Sequence, residues 1–224
     1  MTVTVGIGLF PTEPFPKMVS LVQLSEELGY SCAYLGDSQM IWREAYVILG
    51  AAAVVTKRIK LATGVTNPVT RDLGVLAASW ITLREAVGDR LLLGIGAGDS
   101  SLETIGKKPS TLANLERSID VIRGLMEGRH VTYPDTNAEV HLTYVGPGPR
   151  IPVYPAVSSP KIHRLAGKVG DGAIVLVGTD PNFLKASRGE LEAGAAEAGR
   201  DLKAERFRVV CWTPCSIQED GTAA

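Results

Sequence analysis

The sequence predicts an α/β fold, a parallel (β/α)8 barrel of the TIM type that lacks its last one or two β/α units. Three observations lead there. Strand-like and helix-like segments alternate along the 224 residues, the pattern that gives a parallel sheet with right-handed crossovers. The strand-like segments are short apolar runs without polar alternation, as strands buried on both faces require. Seven such strands favour a barrel over an open sheet, yet a complete barrel takes about 250 residues and an eighth strand is absent. The expectation is one domain, 1–224, truncated at its C-terminus. The alternative is an incomplete barrel with something else covering its open edge.

Each element has a local reason. Val3–Leu9 reads as a strand with glycines at alternate positions. Pro16–Leu28 is an amphipathic helix with Val19, Val22 and Leu28 on its apolar side, closed by Gly29. Cys32–Leu35 is a short strand, Glu44–Val55 an Ala-rich helix and Ile59–Ala62 the third strand. Gly74–Val87 is a helix closed by Gly88, Leu91–Ile95 the fourth strand, and Leu112–Met126 a helix ended at Gly128. Residues 129–150, rich in Pro, Gly and polar side chains, read as an insertion or small ribbon. Pro152–Ala156, Lys161–Val169, Ala173–Val177, Pro181–Ala198 and Arg206–Thr213 complete the alternation.

Composition narrows the function. A net charge of -1 argues against nucleic acid or an anionic membrane surface as the partner. No apolar stretch approaches the roughly 18–20 residues of a membrane span, and no secretory leader is evident. Cys32, Cys211 and Cys215 lack metal or redox-pair spacing, which fits free thiols in a reducing cytoplasm. His130, His141 and His163 are scattered, so no metal site is expected.

The chemistry points to two strand ends. Residues 90–99 read RLLLGIGAGD, with Gly94, Gly96 and Gly98 alternating before Asp99; residues 60–68 read KLATGVTNP, with Gly64 at the strand end. Such glycines remove side chains where backbone must approach something closely. The C-terminal strand ends are where parallel barrels carry their chemistry. Two cleared ends suit a wide, flat ligand such as a flavin-type ring. Close strand–helix packing is the alternative use of the same glycines.

TGVTNP with Arg71, LGIGAGD, SSPK followed by LAGKVGDGAIV, and LGDSQMIW stand in order at predicted strand ends. Together they make the chain resemble the bacterial luciferase-like family of flavin- and deazaflavin-dependent oxidoreductases. It looks most similar to the branch using coenzyme F420, which includes methylenetetrahydromethanopterin reductase and F420-dependent glucose-6-phosphate dehydrogenase. The resemblance implies hydride transfer to or from a small organic substrate, with F420 as cofactor. An FMN-dependent monooxygenase and a non-catalytic barrel remnant are the alternatives. A non-prolyl cis peptide at Gly64–Val65 is implied, pressing with Thr63 on the cofactor ring. Asp37, Ser38, Gly96, Ala97 and Gly98 are implied around that ring. Ser158, Ser159, Gly178 and Thr179 are implied as phosphate holders through backbone N–H groups and hydroxyls. A homodimer through the second and third helices is implied as well.

Departures from the family pattern bear on the substrate. Asp37-Ser38 stands where sugar-phosphate dehydrogenases carry Asp-His, so a histidine base is missing. Trp42 falls on the family's active-site tryptophan, and Asp99 on an active-site acid. The reductase's strand-one carboxylate aligns with Gly8, which leaves Glu13 as the nearest acid. Plainer readings stay open: Asp99 as the N-cap of a short helix, Asp37 as a turn residue, Trp42 as a core aromatic, Arg71 as a loop pin, and Ser159-Pro160 as a helix start.

Overall fold

Nine strands and seven helices follow one another in a computed structural model that describes residues 3–215. The first half runs β1 (Ile7–Leu9), α1 (Phe15–Glu27), β2 (Cys32–Leu35), α2 (Ala45–Val55), β3 (Lys60–Thr63), α3 (Leu73–Val87) and β4 (Leu91–Ile95). A short α4 (Ser100–Glu103) precedes α5 (Leu112–Met126), and a ribbon follows, β5 (Val131–Thr132) with β6 (Glu139–Val140). The second half runs β7 (Val153–Val157), α6 (Pro160–Val169), β8 (Gly172–Val175), α7 (Pro181–Glu197) and β9 (Arg208–Cys211).

The main sheet has seven strands in the order β1-β2-β3-β4-β7-β8-β9, and each neighbouring pair is parallel. It is the curled sheet of a (β/α)8 barrel, open among the described residues between β1 and β9. The curl is visible in one contact. Trp212, just past β9, lies so close to Gly8 on β1 that a Cβ there would stand 2.7 Å from the indole. Strands at opposite ends of a flat seven-stranded sheet could not meet in this way.

Alternation along the strands divides the core into two layers. Ala33 and Leu35 of β2, Leu61 of β3, and Leu91, Leu93 and Ile95 of β4 face the helices, packing on Val22, Trp80 and Ile119. Cys32 and Tyr34, Ala62, Leu92, Tyr154 and Ile174 fill the barrel interior. Burial there pushes the Cys32 thiol up to about 12, so it stays protonated and inert.

Expected boundaries shift mostly at the edges. β1 and β9 are shorter than the runs Val3–Leu9 and Arg206–Thr213, because an edge strand is paired on one side only. Residues 129–150 contain the β5–β6 ribbon, which docks through Tyr133. Its hydroxyl donates to Asp72 Oδ2 at 2.5 Å and accepts the Gly74 N–H at 3.0 Å. A charged cleft of about 700 Å³ lies at the opposite, N-terminal end of the strands. There Arg123 donates to the Val169 carbonyl, and Arg200 to those of Gly167 and Gly170. These arginines satisfy the last carbonyls of α6, a stabilising arrangement at a helix C-terminus.

Gly94 is the tightest point of the sheet, since a Cβ would collide with the Thr63 backbone carbonyl. Gly94→Ala is therefore expected to destabilise the fold by about 3 kcal/mol, the upper range for overpacking. Urea unfolding measures this; a midpoint equal to wild type would refute the packing assigned to β3 and β4.

Candidate active site

The loops at the C-terminal strand ends are bound to one another by side chains from different strands. Thr63 Oγ1 donates to the Gly94 carbonyl at 2.7 Å, and the chain then turns through a cis peptide at Gly64–Val65. Thr66 resumes pairing with β4: its N–H donates to Gly94 and its carbonyl accepts from Gly96. Asn67 Nδ2 donates to Ser101 Oγ at 3.0 Å, and Gln39 Nε2 to the Ser101 carbonyl at 2.9 Å. Ser38 and Ser100 hydroxyls meet at 3.3 Å. The loops after β2, β3 and β4 thus form one body. Gly96 packs on Val65 and Gly98 holds φ +88, so these two glycines shape the bulge and the turn beyond it.

Asp37 is the electrostatic centre of that body. Its side chain is 3% exposed and both oxygens are engaged. Oδ2 accepts from Thr66 Oγ1 at 2.7 Å and Arg71 Nε at 3.1 Å, and Oδ1 from Arg71 Nη2 at 3.2 Å. Arg71 also pairs with Glu44, the N-cap residue of α2, and stacks 4.1 Å from the centroid of Tyr46. Burial opposes the Arg71 charge, but the bonds and charge of Asp37, and then Glu44, outweigh it and raise its pKa. Burial first, and the Asp37 charge second, raise the Tyr46 phenol as well. Asp37 and Arg71 therefore secure the base of the mouth, and the reading of Arg71 as a loop pin agrees with this geometry.

An aromatic row crosses the same end of the barrel. Phe10 packs on Trp42 with centroids 4.8 Å apart and planes tilted by 30°, Phe10 meets Trp212 at 6.4 Å, and Trp212 meets Tyr34 edge-on at 5.9 Å. Gly36 and Gly64 seat these rings as Gly8 does: a Cβ on Gly36 would come within 2.7 Å of Trp42, and one on Gly64 within 3.0 Å of Trp212. Gly64, Gly94, Gly96 and Gly98 were expected to clear room for a flat ligand; of these Gly64 faces an indole of the protein itself, and Gly8 and Gly36, outside that expectation, do the same. Trp212 and Phe10 escaped the sequence reading because their partners are distant in the chain. The one local signal was an aromatic residue directly beyond a β-strand.

The remaining candidates stand around this mouth. Asp99 is exposed and N-caps α4, accepting from the Ser100 N–H at 2.6 Å. Glu13 is exposed in the turn just ahead of α1. Ser158 and Ser159 are exposed ahead of α6, whose N-cap side chain makes no capping bond. Gly178, at φ +75, and Thr179 precede α7, which Asp180 caps.

Residues 2–224 match the model of the luciferase-like monooxygenase family. The chain belongs to that family. This luciferase-like chain is similar to 5,10-methylenetetrahydromethanopterin reductase of Methanolobus tindarius, 32% identical over 224 residues that cover 99% of the chain and 68% of that protein. It is similar to F420-dependent glucose-6-phosphate dehydrogenase of Microbacterium testaceum, 32% identical over 193 residues covering 79% of the chain and 57% of that protein. Among solved structures, coenzyme F420 dependent tetrahydromethanopterin reductase from Methanopyrus kandleri aligns with TM-score 0.83 at 26% identity, covering 99% of the chain and 69% of that structure. The chain thus spans 57% to 68% of the length of these two curated relatives.

Breaking a buried pair strands a charge and costs about 3–5 kcal/mol. Arg71→Ala strands Asp37, whose side chain is 3% exposed, and should fall within that range. Once Asp37→Asn has removed the buried charge, Arg71→Ala should cost at least about 1 kcal/mol less, within the range of coupled neighbours. A double-mutant cycle by urea unfolding checks this; strictly additive losses would contradict the pairing.

Proposed function

We propose that this chain forms the cofactor-binding part of an F420-dependent oxidoreductase, passing a hydride to or from a small organic substrate. The observation that carries the reading is the mouth itself. The Thr63–Thr66 bulge is backed by Gly94 and Gly96, and the α6 N-terminus opens nearby without a side-chain cap. Free N–H groups at a helix start suit an anion, which fits a phosphate-bearing cofactor.

When bound, F420 supplies a two-electron hydride donor or acceptor, and the protein supplies orientation and electrostatics. In this reading Gly64 and Val65 would hold the ring, with Gly96, Ala97 and Gly98 beside them, and Thr63, buried and bonded to the Gly94 carbonyl, would support the bulge from behind. Ser158 and Ser159, with Gly178 and Thr179, hold the phosphate. Asp37 acts through Arg71 and Thr66 to keep the bulge in place, and Ser38 holds α4 through Ser100. Asp99 and Glu13 are the carboxyl groups that exchange a proton with substrate, and Trp42 walls its pocket. Similarity to an F420-dependent glucose-6-phosphate dehydrogenase and to a coenzyme F420 dependent tetrahydromethanopterin reductase supports the cofactor. Monooxygenation, with FMN as the cofactor, is the second reading because the matching family model is described as a luciferase-like monooxygenase.

The proposed assembly is a homodimer through α2 and α3. Exposed Val47, Val54 and Val75 on those helices support it. No helix among the described residues is long and apolar enough to cross a membrane, and a cytoplasmic location belongs to the same proposal.

Titration with F420 and, separately, FMN tests the cofactor, with tryptophan fluorescence as readout. F420 is expected to bind at least about tenfold tighter than FMN, a difference of about 1.4 kcal/mol. Tighter FMN binding would move the reading to the monooxygenase, and binding of neither would leave a non-catalytic barrel.

A further inference from the structure

The β5–β6 ribbon carries a pair of side chains that the mouth does not use. Val131 lies opposite Val140 and Thr132 opposite Glu139. The same register, carried one residue further, sets His130 opposite His141. Tyr133 donates its N–H to the Ala138 carbonyl at 2.8 Å, so hydrogen-bonded pairs fall at Tyr133 and at Val131. His130 and His141 are then a non-hydrogen-bonded pair, the kind whose side chains stand closer. Scattered in the sequence, the two rings stack in the fold with centroids 4.2 Å apart and planes 29° apart. Alternation turns Val131, Tyr133, Val140 and Leu142 toward the core and leaves both histidines exposed on the outer face. The backbone beneath the pair is therefore fixed, while the rings are free to turn. Glu139 Oε1 stands 3.7 Å from His130 Nδ1, and the neighbouring cation, Arg129, is paired with Glu127.

We propose that His130 and His141 chelate a divalent transition-metal ion of the zinc class across the two strands of the ribbon. Imidazole nitrogen is a preferred ligand of such ions. Two bonds of about 2.0–2.1 Å at a tetrahedral angle need nitrogens about 3.3 Å apart, a separation that rings at this spacing reach by small rotations. Among the described residues no three His, Cys, Asp or Glu side chains gather as a metal cage, so the site is a two-histidine chelate with water in the other positions. Glu139 acts one step out. It orients the His130 ring through Nδ1 and leaves Nε2 for the ion, as carboxylates beside ligand histidines do. An ion held by both strands ties β5 to β6. The ribbon it stiffens holds Asp72 through Tyr133, next to Arg71 of the mouth. The site does not rest on the F420 reading.

Calorimetric titration of the whole chain with zinc chloride tests the proposal without turnover, at neutral pH so that the imidazoles are free to bind. Wild type is expected to take up zinc, and His130→Ala and His141→Ala should each weaken that binding at least about tenfold. Unfolding midpoints confirm that both variants are folded, as expected for exposed side chains. Zinc should also slow amide exchange in peptides covering 129–142 of wild type and leave the same peptides of His141→Ala unchanged. No binding by wild type would overturn the site. Binding unchanged in both alanine variants would overturn it too, by placing the ion elsewhere, such as on the exposed thiols Cys211 and Cys215. A loss in only one variant would mean a single-histidine contact and overturn the chelate, and unslowed exchange in zinc-loaded wild type would overturn the tie between the strands.

Discussion

The ion pair between Asp37 and Arg71 is the constraint on which the mouth depends. A carboxylate this deeply buried must be paired and hydrogen-bonded, because an isolated charge is too costly there. Arg71 lies beyond β3 and Asp37 beyond β2, so the requirement ties two strand ends together. Thr66 adds a third bond to Asp37 from within the bulge, and Glu44 extends the tie to the N-terminus of α2. Ser38, Gln39 and Asn67 carry it on to α4. One charge requirement thereby fixes loops from three strands against one another.

Packing of large rings against absent side chains sets the shape above that base. Gly94 lets the Thr63 carbonyl approach β4, and Gly8 and Gly64 let Trp212 reach across the barrel. The contact of Trp212 with β1 brings the two ends of the open sheet close through side-chain packing where no strand pairing joins them. Tyr34 and Tyr154 fill the interior below, where burial raises both phenols above their ordinary range. These rings act as apolar bulk in the barrel interior.

Much of this architecture was legible from local pattern. Cys32–Leu35, Leu91–Ile95 and Leu112–Met126 appear with the expected ends, because burial periodicity and closing glycines are local signals. The glycines marked the C-terminal strand ends correctly, but their occupants could not be read. What fills the space above Gly8, Gly36 and Gly64 is decided by residues many positions away. The same holds for Asp37, whose partner Arg71 is 34 residues downstream. Asp99 as the cap of α4 was readable, since capping involves adjacent residues. The Tyr133 bond to Asp72, which anchors the ribbon, spans 61 residues and left no local mark.

The central claim is that the C-terminal mouth, built on the Asp37–Arg71 tie, is where the cofactor binds. Amide hydrogen exchange with and without F420 measures that location directly. The account predicts slowed exchange in peptides covering 36–42, 63–71 and 158–163, with little change around the charged cleft at Arg123 and Arg150. Protection confined to that cleft, or binding without protection at the mouth, would contradict it.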